Sequence, residues 1–375
     1  CALPIFATVS HELRTPLYGI IGNLDLLQTK ELPSGVDRLV TAMNNSSSLL
    51  LKIISDILDF SKIESEQLKI EPREFSPREV MNHITANYLP LVVRKQLGLY
   101  CFIDPDVPVA LNGDPMRLQQ VISNLLSNAI KFTDTGCIVL HVQCSGDYLS
   151  IRVRDTGVGI PAKEVVRLFD PFFQVGTGVQ RNFQGTGLGL AICEKLISMM
   201  DGDISVDSEP GMGSQFTLRI PLYGAQYPLK KGVEGLAGTR CWLAVRNASL
   251  YHFLESSLTR NGMTVLRYEG QQPDADDLLV ADDVLEQAWQ GRAAVIFCRR
   301  HIGIPLEREP GEWIHSVASP HELPALLAHI YSVELGSEEL STALPTPDKA
   351  GATNDDMMIL VVDDHPINRR LLEIG

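Results

Sequence analysis

Asn124-Leu125-Leu126-Ser127-Asn128-Ala129-Ile130-Lys131-Phe132, Asp155-Thr156-Gly157-Val158-Gly159-Ile160 and Gly185-Thr186-Gly187-Leu188-Gly189-Leu190 are the stretches on which the reading of this chain turns. The first puts two carboxamides at i and i+4, on one helical face, with Lys131 one turn beyond Asn128. Helix interiors usually avoid Asn, which competes with the backbone for hydrogen bonds. Carboxamide oxygens can hold Mg²⁺, and a nearby lysine neutralises phosphate as a point charge. The second stretch ends a strand. Its glycines let the backbone approach a flat ligand, and its acid can accept a hydrogen bond from an exocyclic amine. The third opens a helix, whose free N–H groups and dipole suit phosphates. Gly211-Met212-Gly213-Ser214 forms a further turn. Taken singly, glycine pairs mark turns and an Asn pair is a solvated position; gathered in one stretch of chain they make a candidate site.

Around these motifs, residues 75–222 alternate helix and strand signals. Pro115–Phe132, Lys163–Leu168 and Leu188–Met200 read as helices. Gly136–Gln143 and Leu149–Asp155 alternate as strands, and Asp203–Ser208 with Gln215–Pro221 reads as a closing hairpin. The pattern predicts an α/β sandwich with one long loop, residues 169–187, of the length usual for a functional lid.

Upstream, apolar residues at Leu13, Leu17, Ile20 or Ile21, Leu24 and Leu27 recur in steps of three and four, as an amphipathic helix requires. After a break at Leu32-Pro33-Ser34-Gly35 the stripe resumes at Val36 and continues to about residue 66. The pattern predicts an antiparallel helical hairpin that covers its stripes by pairing with a second copy into a four-helix bundle. In Ser10-His11-Glu12-Leu13-Arg14-Thr15-Pro16, His11 lies off the apolar stripe. Glu12 can orient the ring or take its proton, Thr15 offers a hydroxyl one turn on, and Pro16 leaves the Glu12 carbonyl unpaired. An exposed His is ordinarily surface decoration; these neighbours single it out.

Downstream, residues 225–335 read as a further α/β unit: strand Cys241–Val245, helix Leu250–Asn261, strands Thr264–Tyr268 and Ala293–Cys298, and helix Glu322–Tyr331. Its acidic run, Asp274, Asp276, Asp277, Asp282, Asp283 and Glu286, reads as a solvated helix face rather than a metal cluster. A Ser/Thr/Pro/Gly-rich linker follows, and Met358–Val362 is a buried-type strand ending in Asp363-Asp364. The opening on Cys1 and the ending inside a helix signal suggest a piece of a longer protein.

Composition narrows the class. The 375 residues are 45% hydrophobic and 21% charged, as in ordinary globular proteins. Forty-six acidic against 32 basic side chains, a net charge of −14, argue against nucleic-acid binding driven by overall charge. Seven scattered cysteines without a CxxC pair suit free thiols better than a disulfide framework or a zinc site.

The set Ser-His-Glu-Leu-Arg-Thr-Pro, Asn-x-x-x-Asn-Ala-x-Lys-Phe, Asp-x-Gly-x-Gly-Ile, Phe-Asp-Pro-Phe and Gly-Thr-Gly-Leu-Gly-Leu, in this order across residues 7–222, resembles the boxes of two-component sensor histidine kinases, and the whole architecture that of their hybrid members. The resemblance implies an all-α dimerisation and phosphotransfer hairpin at 1–68 and an α/β sandwich ATPase domain of the gyrase, chaperone and histidine-kinase type at 75–223. It further implies a degenerate receiver-like α/β domain at 225–335, in which Val245-Arg246-Asn247 replaces an acidic pair. A linker would span 336–355, and the start of a flavodoxin-like receiver 356–375. His11 would accept the phosphoryl group with Glu12 as general base, and Thr15 would position water for the reverse reaction. Asn128, with Asn124, would bind Mg²⁺, and Lys131 the phosphates of ATP. Asp155 would recognise the adenine amine beside Gly157 and Gly159. Phe172 would anchor the lid, while Gly185, Thr186, Gly187, Leu188 and Gly189 would border the triphosphate. Asp363 and Asp364 would bind the Mg²⁺ of the receiver. The implied partners are a second copy, a receiver in cis and downstream phosphotransfer or response-regulator proteins. The implied location is the cytoplasmic portion of a bacterial inner-membrane protein, with membrane contact only through segments outside this chain. An ATPase, or an ATP-binding scaffold or phosphatase without net kinase activity, is the alternative.

Overall fold

A computed structural model describes residues 17, 19–24, 26, 27, 34–175, 186–227, 236–282, 289, 291, 293–298, 306–309, 312–316 and 318–333. Residues 19–24 are helical, and α1 (Ser34–Glu64) is one helix of 31 residues. It takes in Ser34 and Gly35, which the sequence pattern assigns to the connecting loop. Val36, Leu39, Met43, Leu50 and Ile57 of α1 stand exposed, whereas Val40 and Leu58 are buried.

The next unit holds β1 (Arg73–Phe75), α2 (Pro77–Arg94), β2 (Gly98–Ile103), β3 (Leu111–Gly113), α3 (Pro115–Phe132), β4 (Cys137–Ser145), β5 (Tyr148–Asp155), α4 (Ala162–Val165), α5 (Gly189–Met199), β6 (Asp203–Glu209) and β7 (Gly213–Pro221). Five strands form a sheet in the order β2-β4-β5-β7-β6, antiparallel except for the parallel β2–β4 pair. Helices α2, α3 and α5 share one core with it. Helix α3 starts where the chemistry of its N-terminus dictates. Asp114 accepts from Met116 N and Arg117 N, both at 3.1 Å, and Pro115 needs no donor in the first turn. Its Leu118, Val121, Ile122, Leu125, Leu126, Ala129 and Ile130 are buried at helical spacing.

Strand β2 is invisible to periodicity because every one of its residues is buried. Leu99, Cys101 and Ile103 face the core beneath α2 and α3, while Tyr100 and Phe102 join the core of the following unit. Alternating side chains thus serve two cores, and the stretch reads as a continuous apolar run.

The last described unit comprises β8 (Arg240–Ala244), α6 (Ala248–Arg260), β9 (Thr264–Arg267), β10 (Leu278–Ala281), β11 (Ala293–Cys298), β12 (Leu306–Glu309), β13 (Glu312–Ser316), a 3₁₀ turn at Pro320–Glu322 and α7 (Leu323–Val333). Its sheet runs β12-β13-β11-β10-β8-β9, all parallel except β12. The parallel strands, numbered along the chain, lie in the order 2-1-3-4-5 of flavodoxin-like sheets.

Here the structure corrects one expectation. The acidic run is not a helix face: its acids flank β10, a central strand that is wholly buried. Asp277 is itself buried, accepting from Arg240 Nε and Trp242 Nε1, each at 2.8 Å. Asp282 Oδ2 accepts from Arg246 N at 2.7 Å and Asn247 N at 3.2 Å. Four apolar residues between acids are too few for a period to show, and for Asp277 partners supplied from β8 make the burial tolerable. Asp283 and Glu286 lie outside the described residues.

Polar contacts tie the two α/β units together at β2. Asn82 Nδ2 donates to Glu322 Oε1 at 2.7 Å, and His321 Nδ1 lies 3.1 Å from Cys101 O. Phe102 stacks on Phe253 with centroids 4.8 Å apart. Among the described residues no helix is long and apolar enough to cross a membrane.

Burial pushes the Cys101 and Cys193 thiols up to about 12 and raises Cys241 as well, whereas Cys137 and Cys144 are only half-buried. Among these five of the seven cysteines, alkylation of the native chain near about pH 8, mapped by mass spectrometry, is expected to label Cys137 and Cys144 first and the other three only on unfolding. Early labelling of Cys101 would mean that β2 is not covered on both faces.

Candidate active site

Three elements converge beside α3. The first is the end of β5. Asp155 is 6% exposed, and its Oδ1 accepts from Gly157 N at 2.8 Å and Ser214 N at 3.3 Å. Its Oδ2 has no hydrogen bond among the described residues. Burial raises the Asp155 pKa, opposed by those two amides. The turn that follows is pinned from both sides: Val158 N reaches Phe132 O at the end of α3, and Gly211 N reaches Val158 O. Gly159 sits at φ +69°, where a Cβ would run into Glu209 O of the β6–β7 hairpin. Two glycine clusters far apart in sequence are therefore one structure.

The second element is the start of α5. Its N-terminus lacks a side-chain cap, which leaves backbone N–H groups to a ligand. Thr186 Oγ1 accepts from Leu188 N at 3.1 Å and donates to Asp56 Oδ2 of α1 at 3.0 Å. Phe172 N donates to Gly187 O at 3.0 Å, so the Phe-Asp-Pro-Phe segment and the Gly-Thr-Gly turn are joined through the backbone. The Phe172 side chain is 67% exposed and meets the Phe60 ring edge-on.

The third element is α3 itself. Asn124 Nδ2 donates to Cys193 Sγ at 3.3 Å, and its carboxamide lies where a Cβ on Gly189 would fall. Asn124 thus holds α3 against α5 and has a packing task as well as the ligand role expected of it. Asn128 has no hydrogen bond among the described residues. Lys131 lies 4.9 Å from the centroid of the Phe132 ring, and its pKa is lowered by burial and then by the charge of Lys52.

The donor set fits a magnesium nucleotide. A half-bonded carboxylate suits a purine amine, a carboxamide suits a hard cation, and a lysine with an uncapped helix N-terminus suits phosphates. The structure brings together Asn124, Asn128, Lys131, Asp155, Gly157, Gly159, Phe172, Thr186, Gly187, Leu188 and Gly189. Gly185, His11, Glu12, Thr15, Asp363 and Asp364 lie outside the described residues. Sequence reasoning missed Ser214 and Asp56. Ser214 closes a glycine turn, but nothing in the stripe of α1 distinguishes Asp56 from a solvated position.

Family models match three segments. Residues 5–66 match the His Kinase A (phospho-acceptor) domain, residues 113–224 the histidine kinase-, DNA gyrase B- and HSP90-like ATPase, and residues 241–331 the RcsC Alpha-Beta-Loop. Over 366 residues, 98% of this chain, it is 88% identical to the sensor histidine kinase RcsC of Salmonella typhi and 86% identical to that of Escherichia coli K12. The chain belongs to the sensor histidine kinases. It spans 39% of the length of those two relatives. The sensor protein GacS of Pseudomonas syringae is 44% identical over 267 residues, 69% of this chain and 29% of that protein. The crystal structure of full-length ShkA in complex with AMPPNP superposes with a TM-score of 0.70, covering all of this chain and 80% of the other. At 24% identity this likeness speaks for the fold alone. In this sensor kinase chain the unit after the ATPase-type domain thus matches an alpha-beta-loop model, where the sequence suggested a degenerate receiver.

Replacing Asp155 by Asn keeps an oxygen for the two amides and removes a buried charge. The raised native pKa means that stability is lost as pH rises from the ordinary carboxylate range through that pKa. Asp155→Asn is expected to match or exceed the parent in unfolding free energy at about pH 7, and to lose less stability between about pH 4 and 7. Urea unfolding at the two pH values checks this; a variant clearly less stable at neutral pH would contradict it. Gly159→Ala is expected to cost at least about 2 kcal/mol in the same assay, from strain and the Glu209 contact.

Proposed function

We propose that this chain phosphorylates His11 from ATP and passes the phosphoryl group on to a receiver-domain Asp, acting as the kinase portion of a two-component phosphorelay. The observation that carries the reading is the half-bonded Asp155 carboxylate sharing one site with Asn128, Lys131 and the uncapped start of α5. In this reading Asp155 Oδ2 accepts the adenine amine, while Gly157 and Gly159 shape the pocket around the base. Lys131 and the uncapped backbone amides of the first turn of α5 hold the phosphates. Asn128, helped by Asn124, holds Mg²⁺, which when bound neutralises phosphate charge. Phosphoryl transfer is largely positioning and charge neutralisation, so the protein needs to align the terminal phosphoryl group with a ring nitrogen of His11. Glu12 takes the ring proton, and Thr15 positions water for the reverse, phosphatase reaction.

The hairpin is proposed to pair with a second copy. The exposed Val36, Leu39, Met43, Leu50 and Ile57 along α1 support this, since a monomer would leave that stripe in water. We further propose the domain limits 1–68, 75–223, 225–335, 336–355 and 356–375, with the third unit built on a receiver-like plan. Its 2-1-3-4-5 strand order supports that plan. Asp363 and Asp364 are proposed to open a receiver. The phosphorelay reading carries with it a cytoplasmic position below an inner-membrane sensor and partners among response regulators and phosphotransfer proteins.

Incubation of the purified chain with γ-labelled ATP and Mg²⁺ is expected to give acid-labile, alkali-stable label on the protein, absent in His11→Gln and Asn128→Ala. Label that survives His11→Gln, or nucleotide turnover without labelled protein, would instead indicate an ATPase or scaffold.

A further inference from the structure

Helix α1 is seated on the rim of the nucleotide site. Asp56 Oδ2 accepts from Thr186, and Asp59 Oδ2 accepts from Gln120 Nε2 of α3 at 2.8 Å. Phe60 meets Phe172 with centroids 6.3 Å apart, and Glu64 pairs with Lys195 of α5 at 3.4 Å. These contacts engage α3, α5 and both motif segments between them, so they set the rotation of α1 over its last two turns. Lys52 lies one turn before Asp56, and residues at i and i+4 share a helix face. It is exposed and has no ion pair among the described residues. Asp56 is already committed to the Thr186 hydroxyl.

The charge of Lys52 nevertheless reaches the site. It is the second cause of the lowered Lys131 pKa, after burial, and it also acts on Asp56 and Cys193. Lys52 thus stands on the face of α1 that docks on the Thr186 turn, and its charge acts on Lys131, where phosphates are expected. Like charges so placed repel, and a polyanion lying between them converts that cost into attraction on both sides.

We infer that Lys52 of the helical hairpin is a further binding residue of the nucleotide site, forming with Lys131 a two-lysine clamp on the terminal phosphates of a nucleoside triphosphate. This rests on the ATP reading above. The clamp spans two elements, so it forms only while α1 is docked on the Thr186 turn, and it favours nucleotides carrying the outer phosphates over those lacking them.

The test is calorimetric titration of the full chain with ATP, ADP and AMP in the presence of Mg²⁺, comparing the parent with Lys52→Ala, Lys52→Glu and Lys52→Arg. Lys52→Ala is expected to weaken ATP roughly fivefold and AMP not at all, with Lys52→Glu weaker still and Lys52→Arg restoring most of the affinity. ATP binding in Lys52→Ala and Lys52→Glu equal to that of the parent would overturn the clamp alone. Equal weakening of ATP and AMP would also overturn it, by marking a structural effect. Failure of the parent chain to bind any of the three would overturn the ATP reading and the clamp with it.

Discussion

The burial of one face of α3 against the five-stranded sheet is the constraint from which the rest follows. Seven apolar side chains from Leu118 to Ile130 fix the rotation of that helix. The leucines and isoleucines among them are of the kind whose truncation to Ala costs about 2–5 kcal/mol in a packed core. With the rotation set, Asn124, Asn128 and Lys131 have nowhere to go but the flank. There Asn124 meets the first turn of α5, and Phe132 at the end of the helix meets the turn that follows Asp155. The polar residues of the site are cheap to expose singly, and it is the apolar face behind them that makes their arrangement specific.

The Asp155 carboxylate illustrates how the site balances stability against readiness. One oxygen takes two backbone amides, from its own turn and from the neighbouring β7, and so welds a loop to a hairpin. The other oxygen has no protein donor among the described residues and stays open to solvent, while burial of the carboxyl group as a whole raises its pKa. Asn128 likewise has no hydrogen bond among the described residues, whereas Asn124, two contacts deep in the α3–α5 packing, is a structural residue.

Two further couplings exist only in the assembled chain. Strand β2 sends alternate side chains into two cores, which makes the last α/β unit a covering of the ATPase-type sheet rather than a separate bead. At the opposite boundary, Asp56, Asp59, Phe60 and Glu64 hold α1 against α3, α5 and the Phe172 segment. The catalytic-type unit is therefore gripped from both sides by neighbours that carry no nucleotide motif of their own.

The sequence by itself determined the class of domain and the motifs that gather along α3. Glycines at forced turns, a carboxylate ending a strand and carboxamides on a helix face are local chemical requirements, and they survive as motifs whatever surrounds them. The helical hairpin was legible for the same reason, as an apolar stripe with a period. What only the tertiary structure decided were the properties set by contacts between distant segments. Strand β2 was hidden because burial on two faces erases alternation. Asp277 and Asp282 beside β10 looked solvated because Arg240, Trp242 and the amides at Arg246 and Asn247 arrive from β8 and the turn after it. Asp56 looked like a surface residue because a charged side chain shows its purpose only when the element it faces has folded against it.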